Sequence, residues 1–426
     1  MTQLLVVIEG EIAGRVDSNK HGLLRFSYEP AWLESKHAFP LSTSMPLTEI
    51  EYKQSLIAPF LWNLLPENEH TLEALATAHG LKSVNPFRLM LKIGEDVPGA
   101  AQFVPDEHID KYLGDSQPEI AWISMEDLDD RIRILNKDAA SMRLKKDVGR
   151  ISLAGAQTKT SFYFDGERWG VPFGRTPNTH ILKPAIPGYP AICENEHLCL
   201  SVAARCGLPA ARSTVLNLPE PVIAVERFDR LWTSEGVLTR VHEEDFCQAL
   251  SLMPARKYQE HGGPGIRTCV ELLRRVSTQP DRDVEIFLKA NMFNWFVGGM
   301  DAHAKNYSLL ISAGEVRLAP LYDLACLALY QEQGIRQELS MKVGEHYAVR
   351  RIGLADWQSV AKDCRIDEDQ VLAWLHELGE KLPDHVRDAS KEALNDKLND
   401  AAVTSVREAL LDHIEARVGS IKTRTY

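Results

Sequence analysis

The sequence has no paired CxxC spacing, and its seven cysteines are an odd number. That argues against a disulfide framework and for free thiols in a reducing compartment. No His/Cys pair has zinc-ligand spacing, which excludes a zinc site of the usual kind. No apolar run is long enough to span a bilayer. Met1 to Gly14 contain no Lys or Arg, and the run Leu4 to Ile8 is too short for a signal-peptide core, so a cytoplasmic chain is expected. Basic charge is in deficit: 48 Lys and Arg stand against 60 Asp and Glu, a net −12. This argues against nucleic acid as the main partner of the whole surface, while leaving room for a local basic patch. Internal repeats and low-complexity tracts are absent. What remains is an ordinary globular composition, 426 residues with 44% hydrophobic and 25% charged, enough for two or three domains.

The organisation changes along the chain. Leu4 to Ile8 and the alternating Leu24 to Tyr28 predict strands. Pro59 to Leu65 and Thr71 to His79 predict helices, with Gly80 as a stop. Residues 131–150 carry seven basic side chains, Arg131, Arg133, Lys137, Arg143, Lys145, Lys146 and Arg150, against Asp138 and Asp147. They read either as a solvated helix-and-loop face or as a patch drawing phosphate or an RNA-bound substrate. Asp165-Gly166 between Ser161–Phe164 and Trp169–Pro172 signals a hairpin. His180 to Lys183 and Val222 to Glu226 predict further strands, and Glu194 to Cys206 a helix. Beyond about residue 230 the pattern turns helical, at Val284 to Val297, Trp357 to Cys364, Glu368 to Leu378 and Ala401 to Val418. The expected fold class is α+β and two-lobed, with a mixed α/β N-terminal lobe, a mostly helical C-terminal lobe and a site in the cleft between them. The expected boundaries are 1–110, 111–228 and 229–426.

Asp301-Ala302-His303-Ala304-Lys305-Asn306 carries the strongest chemical signal. Asp-x-x-x-x-Asn is the spacing of a kinase catalytic loop, where the Asp orients the attacking hydroxyl and the Asn holds a metal. Tyr307–Ile311 and Val316–Tyr322, joined by Ala313-Gly314, predict a hairpin that returns Asp323 beside Asn306, so both can share a magnesium ion. His303 is either structural or a phosphate-binding or loop-fixing group. Upstream, the small-residue stretch Ser152 to Thr160 could admit a phosphate to its backbone amides, with Lys159 adding charge. It is neither a Walker A nor a three-glycine loop, and an ordinary tight turn fits it too. Lys183 in an apolar strand is costly unless paired or reaching a ligand. The candidates to pair with it are Glu194 and Glu196, with Glu196 preferred, while a snorkelling edge lysine is the alternative. Glu226-Arg227-Phe228 could offer hinge backbone to an adenine ring, or be a plain linker. The order of these features along the chain is the order a kinase fold requires.

These residues resemble the HipA family of serine/threonine kinases, the toxin half of HipA–HipB toxin–antitoxin pairs. The matching segments are Ile151–Gln157, Thr179–Lys183, Ala224–Arg230, Glu244–Gln248, Gly262–Gly265, Asp301–Asn306 and Leu321–Asp323. Phe39–Ser42, Leu61–Pro66 and Gly94–Ala100 match the family's N-terminal domain, so the resemblance runs essentially end to end. It implies Asp301 as catalytic base, Asn306 and Asp323 as magnesium ligands, and Lys183 on the ATP phosphates. It further implies a phosphate loop of Ala154, Gly155, Ala156, Gln157, Thr158 and Lys159. Glu226, Arg227 and Phe228 would hold adenine through the backbone, and His303, Ala304, Lys305 and Tyr322 would line the nucleotide site. Ser152 corresponds to the family's autophosphorylated serine, whose modification expels the phosphate loop and silences the kinase. The implied cofactors are ATP and Mg2+. The implied partners are a HipB-like helix-turn-helix antitoxin, operator DNA mainly through it, and an aminoacyl-tRNA synthetase as substrate, glutamyl-tRNA synthetase first. Arg417, Lys422 and Arg424 could still touch DNA phosphates. The stretch Pro184 to Cys193 is short and Pro-rich beside the family's longer loops, which leaves the substrate open. A small-molecule kinase of similar fold and a non-catalytic corepressor of a DNA-binding antitoxin are the alternatives.

Overall fold

The structure, a computed structural model, describes residues 3–114, 117–144, 147 and 151–422. Of the basic residues noted above, Lys145, Lys146, Arg150 and Arg424 lie outside the described residues, as does the side chain of Lys422. The chain forms two compact units that are not contiguous in sequence. The first runs through Pro184 and adds Glu226–Pro254 and Leu309–Val316. The second takes Ala185–Val225, Ala255–Ser308 and everything from Arg317 onward.

The first unit opens on β1 (Leu4–Ile8), β2 (Glu11–Ser18), β3 (Leu24–Tyr28), β4 (Glu51–Lys53) and β5 (Gln102–Pro105), ordered β4-β3-β2-β1-β5. Helix α1 (Gln54–Asn63) begins five residues before the predicted Pro59. Pro59 is inside the helix rather than at its first position, where its missing N–H would cost nothing. Asn63 Nδ2 donates back to the Pro59 carbonyl at 2.8 Å. The buried faces of these elements, among them Val6, Phe26, Phe60, Leu61 and Phe103, form one core that continues into Ile151 and Leu153. The root of the small-residue stretch is therefore anchored in the N-terminal core.

Strands β6 (Glu119–Ile123), β7 (Thr160–Phe164), β8 (Trp169–Phe173) and β9 (His180–Pro184) lie side by side in the order β9-β7-β8-β6. Helix α2 (Met125–Lys137) starts with a capping box, Ser124 and Asp127 exchanging bonds. Two of the basic residues of 131–150, Arg131 and Arg143, turn inward. Arg131 makes a bidentate pair with Asp147 at 2.6 and 2.8 Å. Arg143 donates to the Ser161 carbonyl at 2.5 Å and to Asn178 Oδ1 at 2.7 Å, beneath the Phe162 ring. Burial lowers the Arg143 guanidinium to about 10. For these two arginines, neither a solvated face nor a phosphate-drawing patch describes the structure.

The second unit is built on α3 (Ile192–Arg205), α4 (Ile266–Val276), α5 (Pro280–Val297), α6 (Leu354–Cys364), α7 (Glu368–Asn395) and α8 (Asp400–Lys422). Helix α5 is buried along most of its length. α7 and α8 pack on each other and on α3 and α5. α7 runs well past the expected Leu378 because Pro383 falls inside it without ending it. No helix among the described residues is long and apolar enough to cross a membrane.

Candidate functional site

The second unit contains the acidic loop. Helix α5 ends at Gly298, whose φ of +76° closes the helix in the left-handed conformation, and the chain passes directly into Asp301. The loop is held by its own backbone: His303 N donates to the Asp301 carbonyl at 2.8 Å, and Asn306 N to the His303 carbonyl at 2.9 Å. Asp301 is exposed, whereas His303, Lys305 and Asn306 are buried. The expected hairpin forms from Ser308–Ser312 and Glu315–Leu318. At its base Ala319 N donates to the Ser308 carbonyl. Asp283 of α5 accepts from two groups there, the Arg317 guanidinium, at 2.9 Å in its shortest contact, and the Leu318 N–H at 2.9 Å.

The return of the chain brings Tyr322 and Asp323 back to the loop. The Tyr322 hydroxyl donates to the Lys305 carbonyl at 2.7 Å and lies 2.7 Å from Ser308 Oγ. Asp323 is exposed and has φ +57°, a left-handed backbone. That costs an L residue about 1 kcal/mol, and Asp is among the few types that tolerate it. Such a conformation, held open to solvent beside a buried loop, is a frequent mark of functional sites. His303 reports the same assembly. Burial, then Lys257, push its imidazole well below the usual histidine range, and Lys305 adds to this against the opposing charge of Asp323. Its ring is thus neutral, and among the described residues its buried Nδ1 has no hydrogen-bond partner.

Among the described residues no cluster of three or more His, Cys, Asp or Glu side chains could hold a metal ion. Magnesium does not need one. It takes one or two protein oxygens and completes its shell with phosphate oxygens and water. Asn306 and Asp323 offer oxygen donors of that kind, so the donor set fits.

The first unit contains the small-residue loop, the strand lysine and the hinge. Ser152 is fully buried; its Oγ donates to the Leu64 carbonyl at 2.7 Å and its N–H to the Asp96 carbonyl at 3.1 Å. Gly155 has φ +105° and bridges to Pro66, and Glu67 N donates to its carbonyl at 3.1 Å. Lys159 closes the loop, Nζ donating to the Ala154 carbonyl at 2.8 Å. A Cβ on Gly155 would lie 2.5 Å from that ammonium. Ala154, Gln157 and Thr158 are half-buried and Ala156 is exposed. Lys183 is only 6% exposed, so it is not a snorkelling edge lysine. In the second unit, Glu194 and Glu196 are both buried on α3.

The hinge candidates divide. Glu226 is exposed and Phe228 half-buried. Arg227 N donates to the Thr179 carbonyl at 2.9 Å, and the Arg227 guanidinium is committed to Asp229 at 2.7 Å and to the Val97 carbonyl at 3.1 Å. Arg230 joins Asp229 to Asp96, each at 2.8 Å, and Gly99 N donates to Asp229 at 2.7 Å. Burial raises the Asp96 and Asp229 carboxyls, but the surrounding guanidiniums outweigh it: Asp96 lies well below the usual carboxylate range and Asp229 at about 2. The segments Gly94–Ala100 and Ala224–Arg230 are thus two sides of one buried ion cluster. Thr43, the residue after Phe39–Ser42, is tied likewise to Glu244–Gln248, its N and Oγ1 donating to Glu244 at 2.8 and 2.6 Å. Motif residues that read as functional in sequence serve in these places to fasten the N-terminal sheet to the loop and hinge.

One residue the sequence did not single out touches the acidic loop. The Tyr258 hydroxyl donates to Asp301 Oδ1 at 2.7 Å. The neighbouring Gly262–Gly265 motif was the available signal, but nothing in it specifies where Tyr258 points.

The fold is α+β and is built of two compact units. A HipA structure from Shewanella oneidensis MR-1, in a toxin–antitoxin complex with HipB and operator DNA, superposes with a TM-score of 0.82 over 99% of this chain and 98% of that one, at 24% identity. The chain belongs to the HipA family: residues 4–104 match the HipA N-terminal domain and residues 151–386 the HipA-like C-terminal domain. It is 36% identical to "Putative kinase Y4mE" of Sinorhizobium fredii over 84% of each chain. It is 30% identical to the serine/threonine-protein kinase toxin HipA of Shewanella oneidensis, over 75% of this chain and 73% of that one.

Proposed function

We propose that the chain is the toxin of a toxin–antitoxin pair and acts as an ATP- and magnesium-dependent serine/threonine protein kinase. The observation that carries this reading is the return of Tyr322 and Asp323 to the acidic loop through the Tyr322–Lys305 hydrogen bond. On this reading the return supplies a carboxylate for a hydroxyl nucleophile and two oxygen donors for a metal. In this reading Asp301 orients the attacking hydroxyl. Asn306 and Asp323 hold magnesium, which would neutralise charge on the transferring phosphoryl group. Lys183 and the loop Ala154–Lys159 contact the ATP phosphates. Backbone of Glu226 to Phe228 holds adenine, with the Arg227 side chain excluded from that task by its pairing with Asp229. The neutral His303, with Ala304, Lys305 and Tyr322, lines the nucleotide site. The substrate is a protein serine or threonine, an aminoacyl-tRNA synthetase by family resemblance.

Ser152 is the proposed autophosphorylation site and off-switch. Its hydroxyl is fully buried against the Leu64 carbonyl, and a phosphate there would put a charge of about −2 into a position closed to solvent. Modification would therefore require the loop Ala154–Lys159 to leave its place, removing it from ATP. The partner is a HipB-like antitoxin that carries the chain onto operator DNA, which suits a net charge of −12.

Expression without antitoxin tests the reading. The native chain arrests growth and produces a new phosphoserine or phosphothreonine in a host protein, found by mass spectrometry. Asp301→Ala abolishes both. Arrest that persists unchanged in Asp301→Ala would favour a non-catalytic role.

A further inference from the structure

We propose that Tyr258 is a positioning residue for phosphoryl transfer: it fixes the carboxylate of Asp301 so that one oxygen faces the incoming hydroxyl. This rests on the kinase reading of Asp301 given above. An exposed carboxylate turns freely about its side-chain torsions, and a group that must meet a nucleophile productively cannot. The 2.7 Å bond from the Tyr258 hydroxyl to Asp301 Oδ1 is charge-assisted, the strong kind of hydrogen bond. It engages Oδ1 and so favours one rotamer of the Asp301 side chain over the others.

Tyr258 can do this because it is itself held from several directions. Its ring meets the His303 ring edge-on at 5.0 Å, and that of His261 at 5.7 Å. The Lys257 ammonium lies over the ring at 5.2 Å. Ala304 N, within the acidic loop, donates to the Lys257 carbonyl at 3.2 Å. The Tyr258 carbonyl accepts from His261 N at 3.0 Å and Gly263 N at 2.9 Å. On the far side Gln259 Oε1 accepts the Lys342 N–H at 2.8 Å. A side chain that gated the site would have to leave; one tied at ring, backbone and neighbouring residue is built to stay.

The test is steady-state and single-turnover kinetics of the full chain with ATP and magnesium, using autophosphorylation or a serine-containing protein acceptor. Tyr258→Phe keeps the ring and removes only the hydroxyl. The expected result is a fall in kcat of about tenfold or more, with the KM for ATP and the calorimetric affinity for ATP unchanged. In an Asp301→Ala background Tyr258→Phe produces no further loss, because the two residues act through one carboxylate. Tyr258→Leu, which also removes the ring, serves if the Phe form is poorly folded, with the same split expected. An unchanged kcat in Tyr258→Phe, with Asp301→Ala inactive, overturns the positioning role and leaves the kinase reading standing. A raised kcat overturns it too, since the hydroxyl would then be a competitor for Asp301. Full activity in Asp301→Ala overturns the kinase reading and this inference with it.

Discussion

At the scale of single residues, His242 shows how burial sets chemistry. It is almost fully buried; Ala100 N donates to its Nδ1 at 3.3 Å, and its Nε2 faces the Leu41 carbonyl at 2.8 Å. That pairing requires the proton on Nε2 and a neutral ring. Burial lowers the imidazole to about 4, against smaller opposing effects of the Leu41 carbonyl and Asp229. The unfolded chain binds a proton near pH 6.5 and the folded chain does not, so stability falls as pH drops from about 6.5 to about 4, by about 3 kcal/mol in all. Glu244, raised by burial to about 7, has the opposite slope: its folded form binds the extra proton, so it favours lower pH between about 4.5 and 7. Comparing native chain with His242→Gln cancels the Glu244 contribution. The native chain's advantage in Tm is expected to shrink as pH falls from 7.5 to 5. A difference in Tm that stays constant over that range would mean that folding leaves the proton affinity of His242 unchanged, and an advantage that grows would mean that the folded state binds the proton more tightly.

At the scale of elements, the loop Pro254–Gly265 has its shape imposed by glycine. Gly262 adopts φ +83°, and a Cβ on Gly263 would lie 2.2 Å from the Arg256 carbonyl oxygen and 2.7 Å from that of Tyr258. Neither is flexible side chain, so Gly263→Ala must displace backbone. The expected outcome is a drop of about 1–3 kcal/mol in stability, and loss of phosphoryl transfer beyond that of Tyr258→Phe, read by thermal unfolding and by kinetics on the same preparation. A variant with native kcat would show that the loop does not set the geometry of Asp301. Elements with one strong local signal were readable in the sequence: β1, β3, β7, β8, β9 and the hairpin after Asn306 lie where alternation and turn residues put them. Helix α1 was misplaced because Pro59 is a start signal only when nothing upstream can be helical. The short strands Arg230–Trp232, Leu238–Arg240 and Glu338–Val343 were hidden in a stretch that reads as helical, since three to six residues carry too little periodicity to register.

At the scale of the whole molecule, the two units draw on interleaved stretches of chain, and sequence order alone does not reveal that. Asp301, Asn306 and Asp323 were legible because their spacing is local. The ion cluster of Asp96, Arg227, Asp229 and Arg230 was not, since Asp96 and Arg230 are 134 positions apart. Nor was the Tyr258–Asp301 bond, across 43 positions. The motifs marked both kinds of residue alike, and only burial separates the fasteners from the exposed carboxylates Asp301 and Asp323. These carboxylates are the proposed centre of phosphoryl transfer to protein. The most direct measurement of that role follows label from the γ-phosphate of ATP, with magnesium, into total cell protein incubated with the purified chain. Label is expected in a discrete protein band and on the chain itself, lost in Asp301→Ala and Asp323→Ala. Label found only in small metabolites, or transfer undiminished in both variants, would contradict that role.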